Sequence, residues 1–339
     1  MVKELALGAN GALRPGEPIV HGCLGICPLF KHADGAVTYL TYEEALTAGT
    51  VKIGEVGAAG SVPELVLENL GEKAILILDG EQLVGAKQNR VLNTTVLIGA
   101  GGKFVIPVTC VEQGRWHYEH TREMRSSREH LYARTRADKS RQVSASLECE
   151  GGYSSDQHAI WHNISERLAS EHICSPTSAM EDHFASRRET LDGYQRALSF
   201  ERLKGRGEGI LAGAVFTLSG TVLGMEALNR GAALEAQWPK LLNSYAIEAA
   251  PGDVGGGVVL EEVRSFLGLI SGARMQVFEP PGLGDDVRIT DSAVVGSALV
   301  YEGEVIHLCA FKPNDDGEKT LNGFRSRMSG YRDRRRGRA

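Results

Sequence analysis

Aromatic residues make up only 6% of the 339 positions, cysteines number six, and no long hydrophobic run is present. Each scarcity excludes something. Cys23, Cys27, Cys110, Cys149, Cys174 and Cys309 are dispersed and form no Cys-x-x-Cys pair. A chain of this size with such spacing is neither a disulfide scaffold nor a zinc ribbon, and buried free thiols are expected. Without a stretch of about 18 apolar residues there is no candidate transmembrane helix, so no membrane partner is expected. The opening Met-Val-Lys-Glu-Leu-Ala-Leu-Gly is too short an apolar segment for a secretory signal, and a cytoplasmic location is the expectation. No Walker loop, Gly-x-Gly-x-x-Gly or Gly-x-Ser-x-Gly stands in the strand and helix context that would give it meaning. What remains is ordinary globular composition, 42% hydrophobic and 24% charged, with 41 glycines that imply many turns.

The formal charge of −6 is unevenly spread. Residues 325–338 hold seven arginines and one acid, Asp333, a local charge of +6, which leaves −12 for the remainder. A basic tail on an acidic body can contact nucleic acid or an acidic partner, or it can be a disordered solubilising extension. A second basic stretch, 122–141, carries Arg122, Arg125, Arg128, Arg134, Arg136, Lys139 and Arg141, diluted by three acids. It reads as a solvated surface with local ion pairs.

Four regions follow from the patterning. Residues 1–118 form a β-rich, sandwich-like domain, with apolar runs at 62–68, 74–78, 91–98 and 103–110 separated by Gly, Asn and Pro. A short helix at 42–48 has Thr41 as its cap and Glu44 three residues on. Residues 119–206 are a helical segment, with helices at 155–170, capped by Ser155, and at 176–198. Residues 207–312 alternate strands and helices in the order ββααβββ, with tight turns at Ser219-Gly220 and Glu302-Gly303. Residues 313–339 are a disordered Arg-rich tail. The fold class is therefore α+β: an N-terminal antiparallel β-sandwich or jelly-roll-like unit, a helical middle and a C-terminal ββααβββ layer.

The stretch richest in chemistry is 79–93. Asp79, Glu81, Lys87, Gln88, Asn89, Arg90 and Asn93 crowd between two apolar runs. Polar groups packed there pair with each other, reach solvent, or hold a ligand. Gly80 and Gly85 let the backbone turn sharply around Glu81. Lys87, Gln88, Asn89, Arg90 and Asn93 supply donors for phosphate, sugar or base, while Asp79 and Glu81 supply acceptors or acid/base groups. Downstream, Glu112, Arg115 and Trp116 complete the pocket, Glu112 as a third acid/base candidate and Trp116 as a wall. Cys110 falls on an apolar strand face with Val108 and reads as core. His21-x-Cys23-x3-Cys27-x4-His32 has metal-ligand residue types without standard zinc spacing, and no metal ligands are assigned.

The segments 78–93, 106–116 (Ile-Pro-Val-Thr-Cys-Val-Glu-Gln-Gly-Arg-Trp) and 238–245 (Trp-Pro-Lys-Leu-Leu-Asn-Ser-Tyr) together resemble the ADP-ribosylglycohydrolase- and rhodanese-phosphatase-superfamily-associated protein family, from about 15 to 312. The resemblance implies a setting in ADP-ribose and phosphate chemistry. It brings no catalytic residues or cofactor with it. Three functions stand open. One is binding, with possible processing, of a phosphate-bearing, ADP-ribose- or nucleotide-like small molecule. Another is a non-enzymatic interaction module in which the polar cluster is fold cement. The third is nucleic-acid binding through the tail.

Overall fold

The computed structural model describes residues 2, 13–57, 59–118, 123–149, 151–250, 253, 255–314 and 324. The Arg-rich run 325–338, with the disorder and nucleic-acid contact expected of it, lies outside the described residues.

The chain begins with β1 (Arg14–Pro15), β2 (Ile19–His21), β3 (Leu24–Lys31) and β4 (Leu40–Thr41). Helix α1 (Tyr42–Thr47) follows, then β5 (Val51–Glu55), β6 (Glu64–Asn69), β7 (Ile75–Ile77), β8 (Glu81–Gly85), β9 (Arg90–Leu92), β10 (Val96–Ile98), β11 (Gly102–Cys110) and β12 (Met124–His130). The middle holds α2 (Ala133–Glu148), α3 (Gln157–Ser170), α4 (Met180–Ser186), α5 (Arg188–Ala197) and α6 (Phe200–Lys204). The last part runs β13 (Ile210–Leu218), β14 (Thr221–Leu228), α7 (Gly231–Ala246), α8 (Leu260–Gly272), β15 (Met275–Phe278), β16 (Asp285–Thr290), β17 (Val295–Tyr301) and β18 (Glu304–Phe311). The α+β class, the antiparallel N-terminal sheets, the central helices and the C-terminal antiparallel sheet all agree with the sequence reading.

Three sheets organise these strands. The largest runs β1-β3-β13-β14-β18-β17-β16-β15, with β2 also on β3. N-terminal and C-terminal strands thus share one sheet, through the β3–β13 ladder. All eight residues of β3 are buried because both faces of this sheet are covered. Leu24, Ile26 and Phe30 point into the core shared with Trp238 and Tyr245 of α7, while Cys27 and Leu29 join Val263, Phe266 and Ile270 of α8 on the other face. A six-stranded sheet, β12-β8-β9-β11-β6-β5, curls into a half-barrel, and a bridge between Gly54 and Glu123 brings its two edges together. The third sheet, β10-β7-β4, packs with it around Tyr42, Ile53, Leu67, Ile77 and Ile106.

Several local readings are corrected. The run 91–98 is two strands in two sheets: β9 pairs with β8 and β11, β10 with β7, and Asn93 to Thr95 turn the chain between them. Helix α3 starts after Asp156, whose carboxylate accepts from Ala159 N (3.3 Å), rather than after Ser155. The expected helix over 176–198 is two, α4 and α5, meeting at Arg187. The C-terminal layer has one more strand than ββααβββ, since β16 pairs with β15 and β17. The largest departure is in 122–141, which contains β12 and most of α2; Arg136 and Lys139 there are buried in the core, not solvated. No helix among the described residues is long and apolar enough to cross a membrane.

Candidate functional site

The structure divides the expected site residues between a sealed ionic network and an open pocket. Asp79 and Glu81 enter the network. Both are fully enclosed, and each meets a cation the sequence reading had not paired with it: Lys139 of α2 for Asp79, and Lys240 of α7 for Glu81 (2.7 Å). Lys139 Nζ also donates to Leu92 O (2.7 Å), and Lys240 Nζ to Ser126 Oγ (2.7 Å). Next to them, Arg136 donates to Glu226 Oε1 (2.6 Å), which also accepts from Tyr245 OH (3.0 Å). Glu226 Oε2 bonds His307 Nε2 (3.0 Å), and His307 Nδ1 bonds Thr95 Oγ1 (2.7 Å). Gly80 is necessary here: its φ is +81°, and a Cβ on it would lie 2.8 Å from Arg136 Nε. Burial works to raise the pKa of Asp79, but Lys139, Arg136 and Arg288 outweigh it and hold the carboxyl below its ordinary range. Burial, then Arg136, Lys240, His307 and Lys139, push His130 well below the ordinary imidazole value; neither of its ring nitrogens has a hydrogen-bond partner among the described residues.

The open feature is a pocket of about 380 Å³ between the β8–β9 turn, the turn after β11 and the start of α4. Asn89, Glu112, Arg115, Arg125, Thr177, Glu181 and Asp182 are among the residues that line it. Its frame is built by backbone contacts: Met180 N donates to Val111 O (3.0 Å) and Gly114 N to Thr177 O (2.8 Å). A Cβ at Gly114 would come 2.8 Å from Thr177 Cα, so glycine is what lets the two segments touch. The β8–β9 turn uses left-handed backbone at Gly85 (φ 126°) and Ala86 (φ 42°).

Within the pocket, Arg115 and Glu112 form a bidentate pair, Nε to Oε1 at 2.9 Å and Nη2 to Oε2 at 2.7 Å. Glu112 also accepts from Asn89 N (3.0 Å) and Thr177 Oγ1 (3.0 Å), which occupies its oxygens fully. Arg115 spends its remaining donors on Ala86 O (2.8 Å), His117 O (3.1 Å) and Asn89 Oδ1 (3.1 Å). These two residues therefore hold the wall together. The groups with bonding capacity to spare are Glu181, which accepts one long bond from Asn89 Nδ2 (3.4 Å), and Arg125, exposed on β12 and without an ion pair among the described residues. Burial, followed by the like charges of Glu129, Asp182 and Glu112, raises the pKa of Glu181.

The other expected ligand residues sit around this pocket without lining it. Gln88 Nε2 donates to Glu112 O (3.2 Å). Arg90 is buried, donates Nε to Val62 O (3.2 Å), lies 4.0 Å from Glu55 and stacks on Trp116 at 5.5 Å. Lys87 Nζ donates to Ala59 O (2.6 Å) and faces the rings of Trp116 (5.2 Å) and Tyr118 (5.6 Å), both exposed. Asn93 bridges Tyr153 O (2.8 Å) and Thr109 Oγ1 (2.7 Å). Of the expected set, the pocket brings together Asn89, Glu112 and Arg115.

Sequence reasoning missed Glu181, Asp182 and Arg125. The signal for the first two was present in the 3.6-residue spacing of Met180 and Phe184, which buries those side chains and turns Glu181 toward the flank. Arg125 was lost among the basic residues of 122–141. Lys240, in the quoted 238–245 segment, was seen without its partner Glu81. The sequence model of the ARG and Rhodanese-Phosphatase-superfamily-associated Protein domain, ARPP-1, matches residues 12–311. No curated protein and no solved structure matches the chain.

Proposed function

The chain belongs to the ARPP-1 family, and we propose that its pocket binds a phosphate-bearing, hydroxyl-rich small molecule of the ADP-ribose or nucleotide type. The observation that carries this reading is the two-ended chemistry of the cavity. Arg125, without an ion pair among the described residues, lines the cavity from β12 and offers a bidentate fork to a phosphate. Glu181 and Asp182 stand on the α4 side, where carboxyl groups accept from sugar hydroxyls. Asn89 lines the same cavity, its Oδ1 accepting from Gly85 N and Arg115 and its Nδ2 donating to Glu181 (3.4 Å). A volume of about 380 Å³ suits a nucleoside phosphate or the ribosyl phosphate half of a larger ligand. The family's association with ADP-ribose and phosphate chemistry supports the same ligand class.

If the bound molecule is turned over, Glu181 is the group placed to act. Burial and neighbouring acids raise the pKa of Glu181, which makes it a better proton donor to a departing oxygen near neutral pH than an ordinary carboxyl group. Glu112 is committed to Arg115 and positions Asn89. Titration calorimetry with ADP-ribose, AMP and NAD on the unaltered chain, on Arg125→Ala and on Glu181→Gln tests the reading. Heat of binding with at least one ligand is expected, with affinity reduced on the order of 10-fold or more by Arg125→Ala, as for loss of a charge-assisted pair. Absence of binding by all three ligands to the unaltered chain sinks it.

A further inference from the structure

In the core, outside the pocket, three potential metal donors converge from two neighbouring strands, with a fourth, Asp79, beside one of them. His307 and Cys309 stand two apart on β18 and share a face of the large sheet. Glu226 is the register partner of Cys309 on the neighbouring strand β14. Donor atoms of Glu226, His307 and Cys309 lie within 4.8 Å of one another, and all three residues are fully buried. Asp79, arriving after β7, places Oδ2 3.8 Å from Cys309 Sγ.

The way the carboxylates are occupied gives this convergence a direction. Each spends one oxygen outward on a cation, Asp79 Oδ1 on Lys139 and Glu226 Oε1 on Arg136, the latter oxygen also accepting from the Tyr245 hydroxyl. Each turns its other oxygen inward, Asp79 Oδ2 to the thiol and Glu226 Oε2 to the imidazole. His307 is braced from behind through Nδ1 by Thr95 Oγ1 (2.7 Å). Inward donors held by hydrogen bonds on their outer atoms are the second-shell pattern of a metal centre. Two further polar groups in the same interior lack hydrogen-bond partners among the described residues, both ring nitrogens of His130 and the Nε and Nη2 of Arg136.

We propose that Glu226 Oε2, His307 Nε2 and Cys309 Sγ hold a divalent cation of the zinc class, with Asp79 Oδ2, 3.8 Å from Cys309 Sγ, the neighbouring group that closes in as fourth ligand on loading. One thiolate, one imidazole and two carboxylates suit a borderline ion and not magnesium or calcium, which take oxygen. Loading releases the Cys309 thiol proton to solvent. With Nε2 on the ion, the imidazole carries its proton on Nδ1 and donates it in a hydrogen bond to Thr95 Oγ1. Before loading, Lys139 and Arg136 balance the two carboxylates. The thiolate offsets half of the incoming charge, so the loaded site carries one positive charge in excess. That excess makes its affinity weaker than that of a closed structural zinc site.

The test uses the full chain, stripped by chelator and re-equilibrated with Zn(II) or Co(II), then desalted. Metal per chain is measured by mass spectrometry, and the cobalt form by absorption. Cys149→Ser and Cys174→Ser are made together in the background, removing the two cysteines that are not buried. About one ion per chain and a thiolate-to-cobalt charge-transfer band are expected. Cys309→Ser removes the band, and Thr95→Val, which leaves all four donors in place, weakens binding on the order of 10- to 100-fold. The proposal is overturned if the parent chain takes up no stoichiometric ion or shows no thiolate band. Stoichiometric binding that survives both substitutions also overturns it. Should Cys309→Ser fail to fold, Thr95→Val and the parent spectrum decide alone.

Discussion

Glu181 and Asp79 show how opposite environments give opposite pH signatures. Glu181 has its pKa raised by burial and neighbouring acids, so its contribution to stability is greatest below the ordinary value of 4.5 and is lost as pH rises through the raised value. Glu181→Gln removes a penalty present only in the charged form. The variant is expected to melt higher than the parent at pH 7, with the gap closing at about pH 4, by calorimetry at both values. The paired core residues behave differently. Removing Lys240 alone leaves Glu81 charged and enclosed, at a cost of about 3–5 kcal/mol. Replacing both with leucine, Glu81→Leu with Lys240→Leu, is expected to recover much of that loss. Urea unfolding of the two single variants and the double variant measures this. A double variant as weak as Lys240→Leu would contradict the pairing.

At the level of elements, the sequence was most informative where local chemistry decides. Thr41 and Glu44 form the expected capping box at α1, with Thr41 N to Glu44 Oε2 at 2.7 Å and Glu44 N to Thr41 Oγ1 at 3.4 Å. Thr41→Ala is expected to cost about 0.5–2 kcal/mol, read from the denaturation midpoint. The hairpin turns at Ser219-Gly220 and Glu302-Gly303 hold as read, both with left-handed backbone. What stayed hidden depended on tertiary partners. Helix α2 has no obvious apolar stripe because it buries Arg136 and Lys139, and a buried cation is indistinguishable from a solvated one until its carboxylate is located. Asp79 and Glu81 were legible as unusual, but their partners Lys139 and Lys240 lie 60 and 159 positions away. Strand β16 was not among the expected strands, since Asp285, Asp286 and Arg288 interrupt its apolar residues; Asp286 and Arg288 are buried against Thr94 and Ser144. In the pocket, Asn89, Glu112 and Arg115 were legible because two of the quoted segments supply them, whereas Glu181 comes from a helix that carries no motif.

On the scale of the whole molecule, the interior charges predict an acid-labile core. Burial opposes ionisation of Asp79 and Glu226, yet Lys139 and Arg136 prevail and keep both carboxyls below their ordinary values of 3.8 and 4.5. Groups depressed in the folded state contribute stability above those values and lose it as pH falls through the folded ones. Unfolding free energy by urea is therefore expected to decline steeply below about pH 4, followed by tryptophan fluorescence and circular dichroism. A flat profile down to pH 3 would contradict the network.

The ladder between β3 and β13 also sets a timetable. Strand β3 leaves the ribosome early, but β13 is encoded only after the whole helical middle, and β18 later still. Such distant pairing is slow to form. A nascent chain stopped before residue 207 keeps a long apolar strand with the short β1 and β2 along one edge and its β13 edge bare, a natural binding site for a chaperone. Hydrogen exchange on a 1–206 fragment should find β3 unprotected while the half-barrel is already closed.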